Sequence, residues 1–142
     1  MTTRRPLVIV DGLPAQLPAG DGLAGDTAAI AFSIDGGGSA IATGLKGMVG
    51  PIPFACTIIQ WTLLADQSGS IVVDIWSDAY GNYPPTNADT LFASGKPTIA
   101  SATKGQSGAI SVAVPAGSIL AFNVDSVATL QRVDGVLSVV KG

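Results

Sequence analysis

The stretch CTIIQWTLLADQSGSIVVDIWS, residues 56–77, constrains this chain more than any other, because its apolar residues recur with the period of a strand and not of a helix. Ile59, Trp61, Leu63 and Ala65 share one parity, with Gln60 and Thr62 on the other. Ile71, Val73 and Ile75 alternate with Val72, Asp74 and Trp76. Asp66-Gln67-Ser68-Gly69 lies between the two arms, and this composition predicts a hairpin loop. A hairpin with one greasy face needs a second layer to cover it.

The same period runs through the rest of the chain. Ile30, Phe32 and Ile34 alternate with Ala29, Ala31 and Ser33, and Asp35-Gly36-Gly37-Gly38 ends that run as a turn. A phosphate cradle is the poorer reading of this glycine run, since no Lys-Ser/Thr follows and no helix opens there. Weaker strands are expected over residues 40–43 and 47–52, then a short one over 98–102. Ile110, Val112 and Val114 share a face, Pro115-Ala116-Gly117 turns the chain, and Leu120, Phe122 and Val124 face inward with Asn123 and Asp125 outward. Residues 127–141 are β-rich with a parity slip between Leu130 and Val133, which a bulge or a hairpin split at Asp134-Gly135 would explain.

About eight short strands, spaced about eight to twelve residues apart with Gly, Pro and Asp at the turns, predict an all-β, two-sheet antiparallel sandwich, jelly-roll-like. Periodicity does not separate that topology from an immunoglobulin-like one. At 142 residues the chain is about one domain long, enough to remove roughly two thirds of its unfolded surface from water. Residues 28–142 are assigned to this domain and residues 1–27 to an extended N-terminal arm. Within the arm, Leu7-Val8-Ile9-Val10 enters a tight Asp11-Gly12 turn, and Pro14 and Pro18 confine Leu13 to Leu17 to an edge strand or an extended piece.

Composition narrows the function. There is no histidine and a single cysteine, Cys56, so the sequence is not read as an enzyme, and no metal or cofactor is expected. Aspartates sit mostly beside glycine or serine in turns, which speaks against a two-carboxylate glycosidase. Seven cationic residues scattered along a chain of net charge −3 argue against nucleic acid as a partner. No apolar run reaches the length a bilayer requires, so no membrane contact is expected. Charged residues make up only 12% of the chain, about half the usual share, which points to a surface covered by other subunits and a homo-oligomer, dimer or trimer.

The long irregular stretch 78–97 is the other landmark. Thr86 and Asp89 have capping-box spacing, which predicts two helical turns over residues 87–93 closed by Gly95. Tyr80 and Tyr83 on a loop stiffened by Pro84-Pro85 are either contact material or part of a plug over one end of the domain. Trp76 faces away from Ile71, Val73 and Ile75; an interface anchor, a sugar-stacking platform and coverage by the 78–97 loop are its three readings.

Two segments resemble known proteins. PLVIVDGLPAQLPAGDGL resembles an anchor-like segment near the start of many tailed-bacteriophage structural proteins. Val73-Asp74-Ile75-Trp76, Pro84-Pro85-Thr86, Asp89, Ala93-Ser94, Lys96-Pro97 and residues 120–126 are similar to a β domain recurring in phage tail-fibre and head-surface proteins. The resemblance implies a non-enzymatic structural protein on the surface of a phage virion. Lacking a long shaft, the chain is read as a capsid decoration (cement) protein that contacts the major capsid protein or another virion protein through Leu7, Val8, Ile9, Val10, Leu13 and Leu17. The alternative is a tail-fibre or baseplate domain that recognises a host glycan or protein through Trp76, Tyr80 and Tyr83.

Overall fold

The computed structural model describes residues 26–142, together with the backbone of the strands Leu7–Val10 (β1) and Leu13–Gln16 (β2) and of Gly12 between them. Val10 pairs with Leu13, and Gly12 between the two strands takes φ +78°. A β-carbon is disfavoured at such an angle, and Asp-Gly is the pair that tolerates it best. Leu7, Val8, Ile9, Val10 and Leu13 lie on this hairpin. Leu17 and the remaining arm positions through residue 25 fall outside the described residues.

The seven other strands form one antiparallel sheet: β3 (Thr27–Asp35), β4 (Gly44–Val49), β5 (Cys56–Ala79), β6 (Thr98–Gln106), β7 (Val112–Val114), β8 (Ser118–Ala128) and β9 (Arg132–Lys141). The first half of β5 pairs with β9, from Cys56↔Lys141 to Ala65↔Val133, and its second half with β8, from Ser70↔Ala128 to Ala79↔Ser118. β6 follows the same bend on the other edge, with Gln106 against Thr62 and Thr98 against Val72. β3 extends the β9 side and β4 the β8 side. The sheet therefore curls over on itself, and Phe32 of β3 stacks on Phe122 of β8 with ring centroids 4.1 Å apart. The all-β layered architecture expected from the period-two pattern is present, built as one continuous sheet.

The expected hairpin across residues 66–69 does not form. β5 is a single strand of 24 residues that bends there, because its turn-forming groups are satisfied by another turn. Asp66 accepts from the backbone N–H of Gln131 and Arg132 at 3.2 Å each, Gln67 donates to the Thr129 carbonyl at 2.7 Å, and Thr129 donates its hydroxyl to the Ser68 carbonyl at 3.0 Å. The link 129–131 thus crosses between the two halves of the sheet just where β5 bends. The chain reverses at this link and not at Asp134-Gly135. Gly135 lies inside β9 beneath Phe32, whose ring would stand 2.2 Å from any added β-carbon.

The core runs along both halves of β5. Ile58, Leu63, Val73 and Ile75 are fully buried, against Leu120, Leu137 and Val139 from β8 and β9. Each such aliphatic side chain contributes about 1.5–3 kcal/mol on burial. A register shift between Ile58 and Gln60 turns Ile59 outward, so the expected inward parity holds for Trp61 and Leu63 but not for Ile59. Three further boundaries differ from expectation. Residues 40–43 form no strand, since Ile41 instead buries its side chain and donates to the Leu130 carbonyl. The strand expected over 47–52 runs from Gly44 to Val49, and the one over 98–102 continues to Gln106.

Candidate functional site

β5 and β8 set the floor of the most polar concavity. Successive odd or even positions of a strand share a face, so Asp74 and Trp76 look outward together from β5, and Asn123 and Asp125 from β8. Asp74 is the direct cross-strand partner of Asn123. The segment 83–97 forms the wall. It is stitched to the free edge of β5 by Leu91 N–H to the Ile75 carbonyl (2.8 Å), Val73 N–H to the Pro97 carbonyl (2.9 Å) and a bridge between Trp76 and Thr90. Phe92, buried in the core, anchors it from below. Pro85, Thr86, Asn87, Thr90, Ala93 and Lys96 complete a pit of about 700 Å³.

The capping box at Thr86 and Asp89 is present, with Thr86 N–H donating to Asp89 at 2.8 Å and Ala88 N–H to the Thr86 hydroxyl at 3.4 Å. The helix it starts is one 3-10 turn, Asn87–Asp89, and not two helical turns through residue 93. The pairing of Thr90 with Trp76 draws the chain into extended backbone at once.

Tyr80 and Tyr83 stand elsewhere. A second 3-10 turn, Tyr80–Asn82, carries them past the end of β5 to a cleft of about 290 Å³ shared with Met48, Val49, Gly50, Pro51 and Ile119. Tyr80 is 68% exposed, Tyr83 54% and Met48 41%. The aromatic trio grouped by sequence is therefore two surfaces, with Trp76 half-buried in the polar pit and the tyrosines in an apolar cleft. The 83–97 wall pairs with Trp76 through Thr90 and leaves the residue half-buried.

No family model matches the chain, and no curated protein matches it. One solved structure is similar. A chain from the structure of infectious bursal disease virus Gx strain aligns with 10% identity and a TM-score of 0.36. The alignment covers 96% of this chain and 38% of that one, so the chain spans well under half the length of the protein it matches. A likeness at that level carries no argument about function.

Inside the pit, Asp74 is 5% exposed and accepts from the Thr90 hydroxyl, from the Trp76 indole N–H at 3.0 Å and from Lys96, whose Nζ lies 3.3 Å away. Lys96 also donates to Asp125 at 2.8 Å, and the Asn123 amide donates to the other Asp125 oxygen at 2.8 Å. Burial pushes the Asp74 carboxyl up, but these donors and the Lys96 charge outweigh it and hold the group below its ordinary range. Asp125 foremost, with Asp74 behind it, holds the Lys96 ammonium above its own. The sequence pairs Asp74 with Trp76 and Asn123 with Asp125 by parity, but Lys96, Thr90 and Asn87 reach the pit only through the course of the loop.

A carboxylate whose folded pKa is depressed stabilises the fold at pH above its unfolded value of about 3.9, and the contribution is lost as pH falls through the folded value. Asp134 is lowered too, by Ser33 and then Arg132, so it adds to the same acid limb. Urea midpoints measured from pH about 6 down to about 2 will therefore fall below about pH 4, and Asp74→Asn will flatten part of that fall. An Asp74→Asn variant that keeps the full acid dependence contradicts the network described.

Proposed function

We propose that this chain is a structural protein of a tailed-phage virion and, within that class, a decoration protein that cements the head by bridging capsid subunits as a homo-oligomer. The supporting observation is the apolar cleft at one end of the fold, where Met48, Tyr80 and Tyr83 stand largely exposed around Pro51 and Ile119 on a chain with only 12% charged residues. Interface centres are depleted of charge and enriched in Tyr and Met, and tyrosine brings large contact area at little entropic cost. Tyr83 is followed by Pro84-Pro85 and lies next to a 3-10 turn, so the backbone that carries it is restricted before any partner arrives. The β1–β2 hairpin supplies a second contact element, and many modest contacts acting together let a shell resist internal pressure.

Tyr80→Ala/Tyr83→Ala is expected to lower head occupancy about tenfold or more, because tyrosine is enriched among the few interface residues whose truncation costs about 2 kcal/mol or more. Deletion of residues 1–25 is expected to abolish loading while residues 26–142 keep their cooperative unfolding. Unimpaired loading of either variant overturns the proposal. Full loading with a defect in host adsorption instead favours the tail-fibre reading.

A further inference from the structure

The pit over β5 and β8 is separate from the tyrosine cleft and has a different chemistry. Its floor carries an aromatic ring whose orientation is locked, because the Trp76 indole N–H is bound to Asp74 on the same strand. Trp76 is half-buried and lines the pit, so part of the residue is open to a ligand. Around it stand acceptors and donors in alternation: Asp74 and Asp125 as carboxylates, Lys96 as ammonium, Asn87 and Asn123 as amides. Asn87 is exposed and its side-chain amide makes no hydrogen bond among the described residues. The two carboxylates and one ammonium leave the pit with one net negative charge. Its volume of about 700 Å³ falls within the range of ligand clefts, about 300–1,000 Å³.

We propose that this pit binds a neutral pyranose sugar, stacked on Trp76 and hydrogen-bonded by Asn87, Lys96, Asn123 and Asp125. A sugar presents one face of C–H groups, which suits an aromatic ring, and a rim of hydroxyls that each both donate and accept, which suits a mixed set of carboxylates and amides. Because Asp74, Trp76, Lys96, Asn123 and Asp125 already hold one another by hydrogen bonds and ion pairs, little side-chain entropy is lost on binding. The net negative charge disfavours acidic sugars.

The chain's two tryptophans make the test specific, since Trp61 is 8% exposed and serves as an internal control. The full chain, labelled with nitrogen-15, is titrated to millimolar excess with the methyl glycosides of glucose, galactose and mannose, with N-acetylglucosamine and with glucuronate. At least one neutral sugar is expected to move the Trp76 indole resonance and the Asn87 amide in a saturable way while the Trp61 indole stays in place. Asn87→Ala is expected to weaken that binding about tenfold, the loss of one well-placed hydrogen bond, with an unchanged Tm. No movement of Trp76 with any neutral sugar, an unaltered affinity in Asn87→Ala, or tighter binding of glucuronate overturns the proposal. The first of these outcomes leaves the pit as a staple for the 83–97 segment.

Discussion

Ile58→Ala will lower folding stability by about 2–5 kcal/mol, and Ile59→Ala by under about 1 kcal/mol, although the two isoleucines are neighbours on one strand. Ile58 has no exposed surface, while Ile59 is 36% exposed. The difference comes from one extra residue on β5: Ile58 pairs with Val139 and Gln60 with Ser138, so Ile59 bulges out of the ladder. The bulge is anchored from the other edge, where Ile110 N–H donates to the Ile59 carbonyl at 3.0 Å and Ser107 binds both backbone groups of Trp61 at 3.0 Å. Removing three carbons at Ile58 leaves a cavity that a close-packed core cannot fully close. Urea unfolding of the two variants measures the contrast. Equal losses, or the larger loss at Ile59, would mean that the strand keeps simple alternation and the bulge is absent.

Gly69→Val will cost about 3 kcal/mol, for want of room and not of backbone freedom. A β-carbon at Gly69 would lie 2.4 Å from the Thr129 hydroxyl, 2.5 Å from the Ala128 carbonyl oxygen and 2.7 Å from a methyl of Leu130, which is fully buried. The carbonyl belongs to the backbone and Leu130 to the core, so neither yields cheaply. Thr129 is itself held at φ +67°, a region that β-branched residues avoid. Thr129→Gly in the same background is therefore expected to recover part of the loss, by freeing the link to move aside. Thermal unfolding of the single and double variants reads this out. A neutral Gly69→Val would mean that the 129–131 link does not cross β5 at its bend.

These two positions also mark where the amino-acid pattern stops being sufficient. The strands at Ile30 to Ile34, Ile71 to Ile75 and Leu120 to Val124 follow from alternation alone, because each buries one parity against the core. Ile58-Ile59 is a pair of apolar neighbours, which fits either parity, and only pairing with β9 decides between them. Asp66-Gln67-Ser68-Gly69 has the polar groups of a hairpin loop, but local composition does not say which backbone will satisfy them; here it is the link 129–131. Asp74 faces away from the core as its parity requires, yet it is buried because a distant loop folds over it. The Thr86–Asp89 cap is local and was legible, whereas the length of the helix was not, since Trp76 captures Thr90 from outside the segment. Trp76, Tyr80 and Tyr83 are close in sequence, but the end of β5 at Ala79 and the turn after it send the tyrosines to another surface.

The proposed role requires that the chain lie against neighbouring subunits of a particle. Its most direct test is to tag the chain at Gly142, the residue after β9, and locate the label on intact virions by electron microscopy. The decoration proposal predicts label spread regularly over the head. Label confined to the tail, or particles that carry none, would contradict it.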